Sequence, residues 1–325
     1  MKNATMKAAV YEAYGPPEVV QIKEVAKPIP GKNELLIKMH ATAVNSGDAR
    51  MRRADPFIIR LVFGLFKPKK PILGVDISGV VEAVGHEVSK FQVGDEVFGS
   101  SFSSGMAAHA AYTVVHEDGV IAIKPKNLDT VDAASIHFGG NTALDFLVRG
   151  GIQKDQKVLI YGASGAVGVY AVQLAKYFGA EVYGVCSGRN VELVKSLGAD
   201  RVFDYTKEDF AESNIQFDII FDTVGKSPFS KCVKSLRPSG KYLRAVHMSL
   251  GAIMKGLWTT LTSKKKIIAG VAEETKDNLL FLRDRVEDGA IRPVIDRYYE
   301  FEDIAEAHRF VDTGRKRGSV VVKCL

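Results

Sequence analysis

Residues 158–176 read VLIYGASGAVGVYAVQLAK, and three kinds of residue follow one another in that order. Val158, Leu159, Ile160 and Tyr161 form a short apolar, β-prone run, the pattern of a strand buried on both faces. Gly162, Gly165 and Gly168 come next, spaced by three. From Val167 on, Ala171, Val172, Leu174 and Ala175 make an apolar stripe, with Gln173 and Lys176 left to face water. The stretch therefore predicts strand, glycine turn and helix. A helix that starts directly after a strand presents unpaired backbone N–H groups and the positive end of its dipole, which suits a pyrophosphate. Glycine lets the backbone come close to the phosphates. The candidate cradle is Gly162, Ala163, Ser164, Gly165, Ala166, Val167 and Gly168, with Ala163 standing where the strict G-x-G-x-x-G fingerprint has its first glycine.

Five further strand-like runs follow, at 181–185, 201–203, 217–222, 241–245 and 267–271, most of them separated by helical segments. That layout predicts a doubly wound parallel sheet of the Rossmann type, and with it a dinucleotide. Its identity is read at the end of the second strand. An NAD site places an acid there, about twenty residues past the glycines. No acid lies between Gly184 and Val191, whereas Ser187, Arg189 and Asn190 offer two neutral donors and a charged fork. Such a set welcomes a 2′-phosphate, so NADPH is the expected cofactor. The plainer reading of Arg189 is a solvated residue at a helix start. Tyr205, after the third strand, is placed to stack near the adenosine.

The chain of 325 residues is long enough for two domains. Met1–Thr5 is polar with no apolar h-region behind it, and no run is long enough to span a bilayer. Three widely spaced cysteines (Cys186, Cys232, Cys324) point to free thiols in a reducing, cytoplasmic setting. A net charge of +6 is moderate and does not by itself imply nucleic acid. Before the glycine stretch, strand-like runs at 6–11, 19–25, 34–43, 79–99, 110–115 and 120–123 alternate with glycine and proline turns, which argues for a small β-barrel. A helical segment at 132–149 leads into the glycine-turn region. Towards the C-terminus a helix is expected at 276–288, a strand at 292–295, a helix at 301–311 and a last strand at 318–323.

Several segments together resemble the medium-chain dehydrogenase/reductase superfamily, in its zinc-free quinone oxidoreductase-like branch. They are AVNSGD at 43–48, LGVDISGVV at 73–81, VG at 84–85 with FQVGDEV at 91–97, TAL at 142–144, ASGAVG at 163–168 and DIIFDTVG at 218–225. The resemblance implies a GroES-like barrel made from both chain ends, residues 1–129 and 275–325, around a Rossmann NADPH-binding domain at 130–274. It also implies zinc-independent reduction of quinones or α,β-unsaturated carbonyls by hydride transfer, on a small hydrophobic substrate. A homodimer joined through 267–271 is a further implication. His137, Asn141, Gly318-Ser319 and the acid-free Ala110-Ala111-Tyr112 depart from the family pattern, which bears on the substrate pocket.

Zinc-dependent relatives would have cysteine at Asn45 and Gly-His-Glu near 74–76, where this chain has Gly74-Val75-Asp76. No C-x-x-C occurs anywhere, and the seven histidines show no ligand spacing. Asn45, by resemblance, is the polar residue of the vacated metal site, able to orient a carbonyl or the nicotinamide ribose; the plainer reading is a barrel asparagine capping a turn. Asp48 is either a catalytic group or a brace for local backbone. Thr142, Val224 and Gly225 are implied to lie along the nicotinamide. No general acid stands out. Other functions stay open: a cofactor-binding structural or regulatory protein, as in crystallin-like members, or a zinc-free alcohol or enoyl reductase. Two apolar, basic-edged stretches, 57–66 and 248–260 with Trp258, read either as a gate touching membrane or as a packed pocket lid or dimer contact, the lid or dimer contact being the more ordinary.

Overall fold

The computed structural model describes residues 4–245, 260 and 263–324. In chain order its elements begin with β1 (Thr5–Tyr11), β2 (Val20–Ala26), β3 (Glu34–Ala43), α1 (Ser46–Arg53), α2 (Ile58–Phe63), β4 (Asp76–Val84), β5 (Glu96–Ser100), β6 (Tyr112–His116), β7 (Ile121–Ile123), α3 (Thr130–Ala133) and α4 (His137–Arg149). They continue with β8 (Lys157–Tyr161), α5 (Ala166–Tyr177), β9 (Glu181–Cys186), α6 (Val191–Ser196), β10 (Arg201–Asp204), β11 (Phe217–Asp222), α7 (Phe229–Lys234), β12 (Leu236–Arg244) and β13 (Lys266–Ala269). The last are α8 (Lys276–Glu287), β14 (Ile295–Glu300), α9 (Ile304–Asp312) and β15 (Ser319–Lys323). Two compact units result: one of 1–138, 275–287 and 293–325, the other of 139–274 and 288–292.

The second unit is built on a parallel sheet ordered β10-β9-β8-β11-β12-β13. The order reverses between β8 and β11, the switch point at which ligands bind such sheets. Val158, Leu159 and Ile160 are wholly buried because the sheet is covered on both faces. α5 is buried over Val167–Ala175, including Gln173, whose amide bonds the Val169 and Arg292 carbonyls. Gly184 of β9 lets the neighbouring turn and helix close in: a Cβ there would lie 2.6 Å from Val194 Cγ1 and 3.2 Å from the Ala163 methyl.

In the first unit β3 is the organising strand. It pairs antiparallel with β4, β6 and β15, and β14 joins β15 in parallel. Segments from before and after the parallel-sheet unit thus share one sheet. Alternate residues Leu35, Ile37 and Met39 of β3 pack inward with Ile77, Val81 and Val320. β1 and β2 form a separate antiparallel pair.

Three differences from the sequence reading have local causes. The helix expected over 132–149 is two helices, because Ser135 and Ile136 take i−3 rather than i−4 carbonyls and tighten the chain between them. The expected strand at 292–295 begins only at Ile295, since Pro293 has no N–H for a ladder. The units divide after Phe138 rather than at 129/130, as α3 packs on β3, β4 and β5. The apolar stretch at 248–260 lies outside the described residues apart from Thr260. Gly184→Val is expected to lower stability by about 1–3 kcal/mol through overpacking, read as a fall in denaturation midpoint at unchanged m; an unchanged midpoint contradicts the close packing over β9.

Candidate functional site

The glycine turn joins β8 to α5. Gly165 is the N-cap of α5 and brings no side-chain acceptor, so the N–H groups of the first turn keep their donors for an incoming anion. The glycines do different work. Gly162 has φ +85°, and a Cβ on it would meet Val224 Cγ1 at 2.7 Å and Thr223 Oγ1 at 2.8 Å. A Cβ on Gly168 would lie 2.1 Å from the Gly162 carbonyl oxygen. At Gly165 the nearest atom would be that same oxygen at 3.4 Å, which leaves its outer side open. Ala163 takes the first position of the fingerprint because its methyl is buried against Gly184, not directed to the open side. Ser164, Ala166 and Val167 complete the turn.

The loop after β9 meets this turn. Asn190 is buried; its Nδ2 donates to Ser164 Oγ at 2.9 Å and to Ser187 Oγ at 3.3 Å. Its Oδ1 is buried without a partner. Arg189 and Tyr205 are exposed. Asp204, at the end of β10, was not expected here: a Cβ on Gly188 would lie 2.4 Å from its Oδ2. The Thr206 hydroxyl, 2.7 Å from Asp204 Oδ1, is the chief cause holding this carboxyl below its usual range. A cavity of about 440 Å³ beside it is lined by Tyr161, Val185, Tyr205, Phe210 and Pro228 among others.

The loop after β11 is held by a residue that sequence reasoning quoted without giving it a role. Asp222 is buried; its Oδ1 accepts from the Val224 and Gly225 N–H groups at 3.1 and 2.7 Å. Its Oδ2 accepts from Ser227 N–H and Oγ. Thr223 donates from Oγ1 to the Tyr161 carbonyl at 2.9 Å. Asp222 thereby presses Val224 and Gly225 against the glycine turn. Thr142 sits half-buried in α4.

In the first unit Asn45 caps α1. Its Oδ1 accepts from Gly47 and Asp48 N–H at 2.8 and 3.1 Å, and Asp48 Oδ2 accepts from Asn45 N–H at 2.9 Å, which closes a capping box. Asp48 Oδ1 accepts from Gly74 N–H at 3.2 Å. Asp48 has no exposed surface and both of its oxygens bond backbone, so its geometry is that of a positioning residue. Asn45 Nδ2 is directed at Asp76 Oδ2, 3.4 Å away, while Asp76 Oδ1 accepts from Phe138 N–H at 2.9 Å. His109 Nε2 donates to the Ala43 carbonyl at 3.3 Å and lies 4.0 Å from Asp48 Oδ2. Burial holds the imidazoles of His109 and the adjoining His308 below their usual range. Lys316, half-buried, is pushed down to about 8 by burial, against the pull of Asp76, Asp296 and Asp48.

The structure brings Asn190, Ser187 and Val224 to the glycine turn and Asn45 and Asp48 to the start of α1, all residues singled out by sequence reading. That reading missed the parts played by Asp76, Asp204, Asp222 and Lys316, of which only Asp76 and Asp222 fall in a recognisable motif. Among the described residues no cluster of three or more His, Cys, Asp or Glu side chains could hold a metal ion.

Burial pushes the Asp76 carboxyl up to about 7 from 3.8. Between these values the unfolded chain has released a proton that the folded chain keeps, so this group's contribution to stability is lost as pH rises from about 4 to 7. The melting temperature of the native chain is expected to fall more steeply over that window than that of Asp76→Asn; parallel profiles would show that Asp76 is not the titrating group.

Residues 31–125 match the family described as alcohol dehydrogenase GroES-like domain, and residues 197–322 the one described as zinc-binding dehydrogenase. The chain is 33% identical to 2-methylene-furan-3-one reductase of Solanum lycopersicum, over 98% of this chain and 79% of that one. It is 32% identical, with the same coverage, to the chloroplastic NADPH-dependent alkenal/one oxidoreductase of Arabidopsis thaliana. The structure of the quinone oxidoreductase from Coxiella burnetii superposes with a TM-score of 0.90 at 28% identity, covering 98% of this chain and 99% of the other. With its GroES-like unit and its Rossmann sheet, the chain belongs to the medium-chain dehydrogenase/reductase superfamily, in the quinone oxidoreductase-like branch.

Proposed function

We propose that this oxidoreductase is zinc-independent, uses NADPH, and reduces quinones or α,β-unsaturated carbonyls. The observation that carries the reading is the turn at 162–168, where two glycines are required by packing and the third leaves the uncapped start of α5 open. The relatives named above, reductases of enone-type and quinone substrates, support the substrate class.

The bound dinucleotide supplies the hydride that a conjugated carbonyl accepts. The chain's own residues bind and orient. N–H groups of the first turn of α5 hold the pyrophosphate, and Asn190 ties the loop after β9 to that turn through Ser164. Ser187 and Arg189 hold the 2′-phosphate, with Asp204 opposing it from β10. Tyr205, Phe210 and Pro228 flank the adenine. Thr142, Val224 and Gly225 serve the nicotinamide end. Asn45 Nδ2, the one part of that amide not spent on capping, is the donor for a carbonyl or ribose oxygen, and Asp48 fixes its loop.

A zinc ion does not fit this donor set. Asn45 offers an amide whose oxygen already takes two N–H groups, Val75 offers no donor atom, and Asp76 accepts from Phe138. The cytoplasmic setting and a homodimer through β13, one of the two edge strands of its sheet among the described strands, belong to the same reading. No helix among the described residues is long and apolar enough to cross a membrane.

NADPH oxidation with a panel of ortho-quinones and enones, with and without a zinc chelator, tests the reaction. Turnover above background that the chelator leaves intact is expected; none with any substrate removes the reductase reading, and loss to the chelator removes zinc independence. A charge-assisted bond contributes roughly 1.5–3 kcal/mol, so Arg189→Ala should weaken NADPH about tenfold or more and NADH little. Equal losses for both cofactors refute the 2′-phosphate assignment.

A further inference from the structure

The stretch from Phe57 to Lys70 carries apolar side chains that are largely exposed. α2 has no buried residue. Phe57, Ile58, Leu61 and Val62 are between 62% and 67% exposed, and Phe66 is 87% exposed. Ile58, Leu61 and Val62 share one helix face, and Phe57 lies one turn before Leu61. Single exposed apolar residues are ordinary on protein surfaces, but a contiguous group marks an interaction site.

The patch is held in place by the backbone beneath it. Gly64 has φ +127°, and a Cβ there would lie 2.1 Å from the Lys67 carbonyl oxygen, so the turn requires glycine. Lys69 N–H donates to the Phe63 carbonyl at 2.8 Å, and Tyr14 donates its hydroxyl to the Gly64 carbonyl at 2.8 Å. The Arg60 guanidinium lies over the Tyr14 ring, 4.9 Å from its centre. With the main chain satisfied from below, the apolar side chains are left to point outward.

The charge around the patch selects its occupant. Lys67, Lys69 and Lys70 are exposed, and among the described residues none of them is in an ion pair. With Arg60 they face a single acid, Asp55, over residues 55–70. A second copy meeting the same patch about a two-fold axis would set this basic fringe against itself. An anionic lipid surface satisfies both parts: aromatic and aliphatic side chains enter at the acyl boundary while lysines stay at the phosphates. We propose that residues 57–70 dock this protein onto the surface of anionic membranes, with Phe57, Leu61, Val62 and Phe66 as the inserted group. The proposal does not depend on the reaction catalysed.

Co-sedimentation of the full chain with phosphatidylcholine vesicles, and with vesicles that also contain phosphatidylserine, tests it at low and raised salt. Binding is expected to phosphatidylserine vesicles, weakened by salt. Phe57→Ser with Phe66→Ser should abolish it. Lys67→Gln, Lys69→Gln and Lys70→Gln together should weaken it by about fivefold per lysine. Unchanged melting curves show that the variants fold, and the lysine triple variant, which alters only exposed charge, keeps the test decisive should the phenylalanine variant unfold. Absence of binding by the native chain at low salt overturns the proposal, as does full retention by the folded phenylalanine variant. Light scattering that shows a dimer which this variant takes apart would assign the patch to a second copy and overturn it equally.

Discussion

The carbonyl oxygen of Gly162 leaves no space for a side chain at position 168: a Cβ would lie 2.1 Å away. Because of that contact the first turn of α5 rests on the end of β8, and the helix start is aimed over the carboxyl edge of the sheet. Oriented N–H donors at that spot are what a phosphate needs. The loop after β11 closes on the same point, since the left-handed Gly162 is packed by Thr223 and Val224, Thr223 being held by the Tyr161 carbonyl and Val224 by the buried Asp222 carboxylate. Asn190 joins from β9 through Ser164. Three strand ends thereby meet at the glycine turn.

The polar cluster of the other unit follows a different logic. Asn45 and Asp48 satisfy each other and the start of α1, so much of their hydrogen-bonding capacity goes to main chain. What remains directed elsewhere is one amide N–H pair and the neighbouring Asp76, itself buried and raised. Removing a carboxylate from such a set leaves buried N–H groups unpaired, which costs more than the bond it made. This is why a residue that never meets a substrate can still be needed for the shape of a site. In the same cluster the Asn45 oxygen is already an acceptor for two backbone N–H groups.

Much of this was legible in the residue order. Glycines at 162, 165 and 168 between a β-prone run and an apolar stripe imply their structure locally, since each signal acts within a few residues. The same holds for the parallel strands at 181–186, 201–204 and 217–222, whose apolar runs are short and bounded by turns. The motif at 218–225 was quoted for its resemblance, yet the work of Asp222 was not visible, because its partners are main-chain N–H groups whose directions depend on the fold. Asp204 was invisible for a stronger reason. It lies on β10, and only parallel pairing with β9 sets it beside Gly188. A search for acids within the loop itself could not find it.

The sequence by itself determined the strand–turn–helix cradle, the alternation of strands and helices around it, and the family, because periodicity and glycine spacing act through local sterics and burial. Only the tertiary structure decided which charges surround the cofactor loop, that Asp48 braces backbone, that Asp76 is buried, and that the apolar side chains of α2 are exposed. Each of these depends on what a distant segment places nearby. Burial and electrostatic environment are properties of three-dimensional neighbourhoods, and no spacing along the chain encodes them.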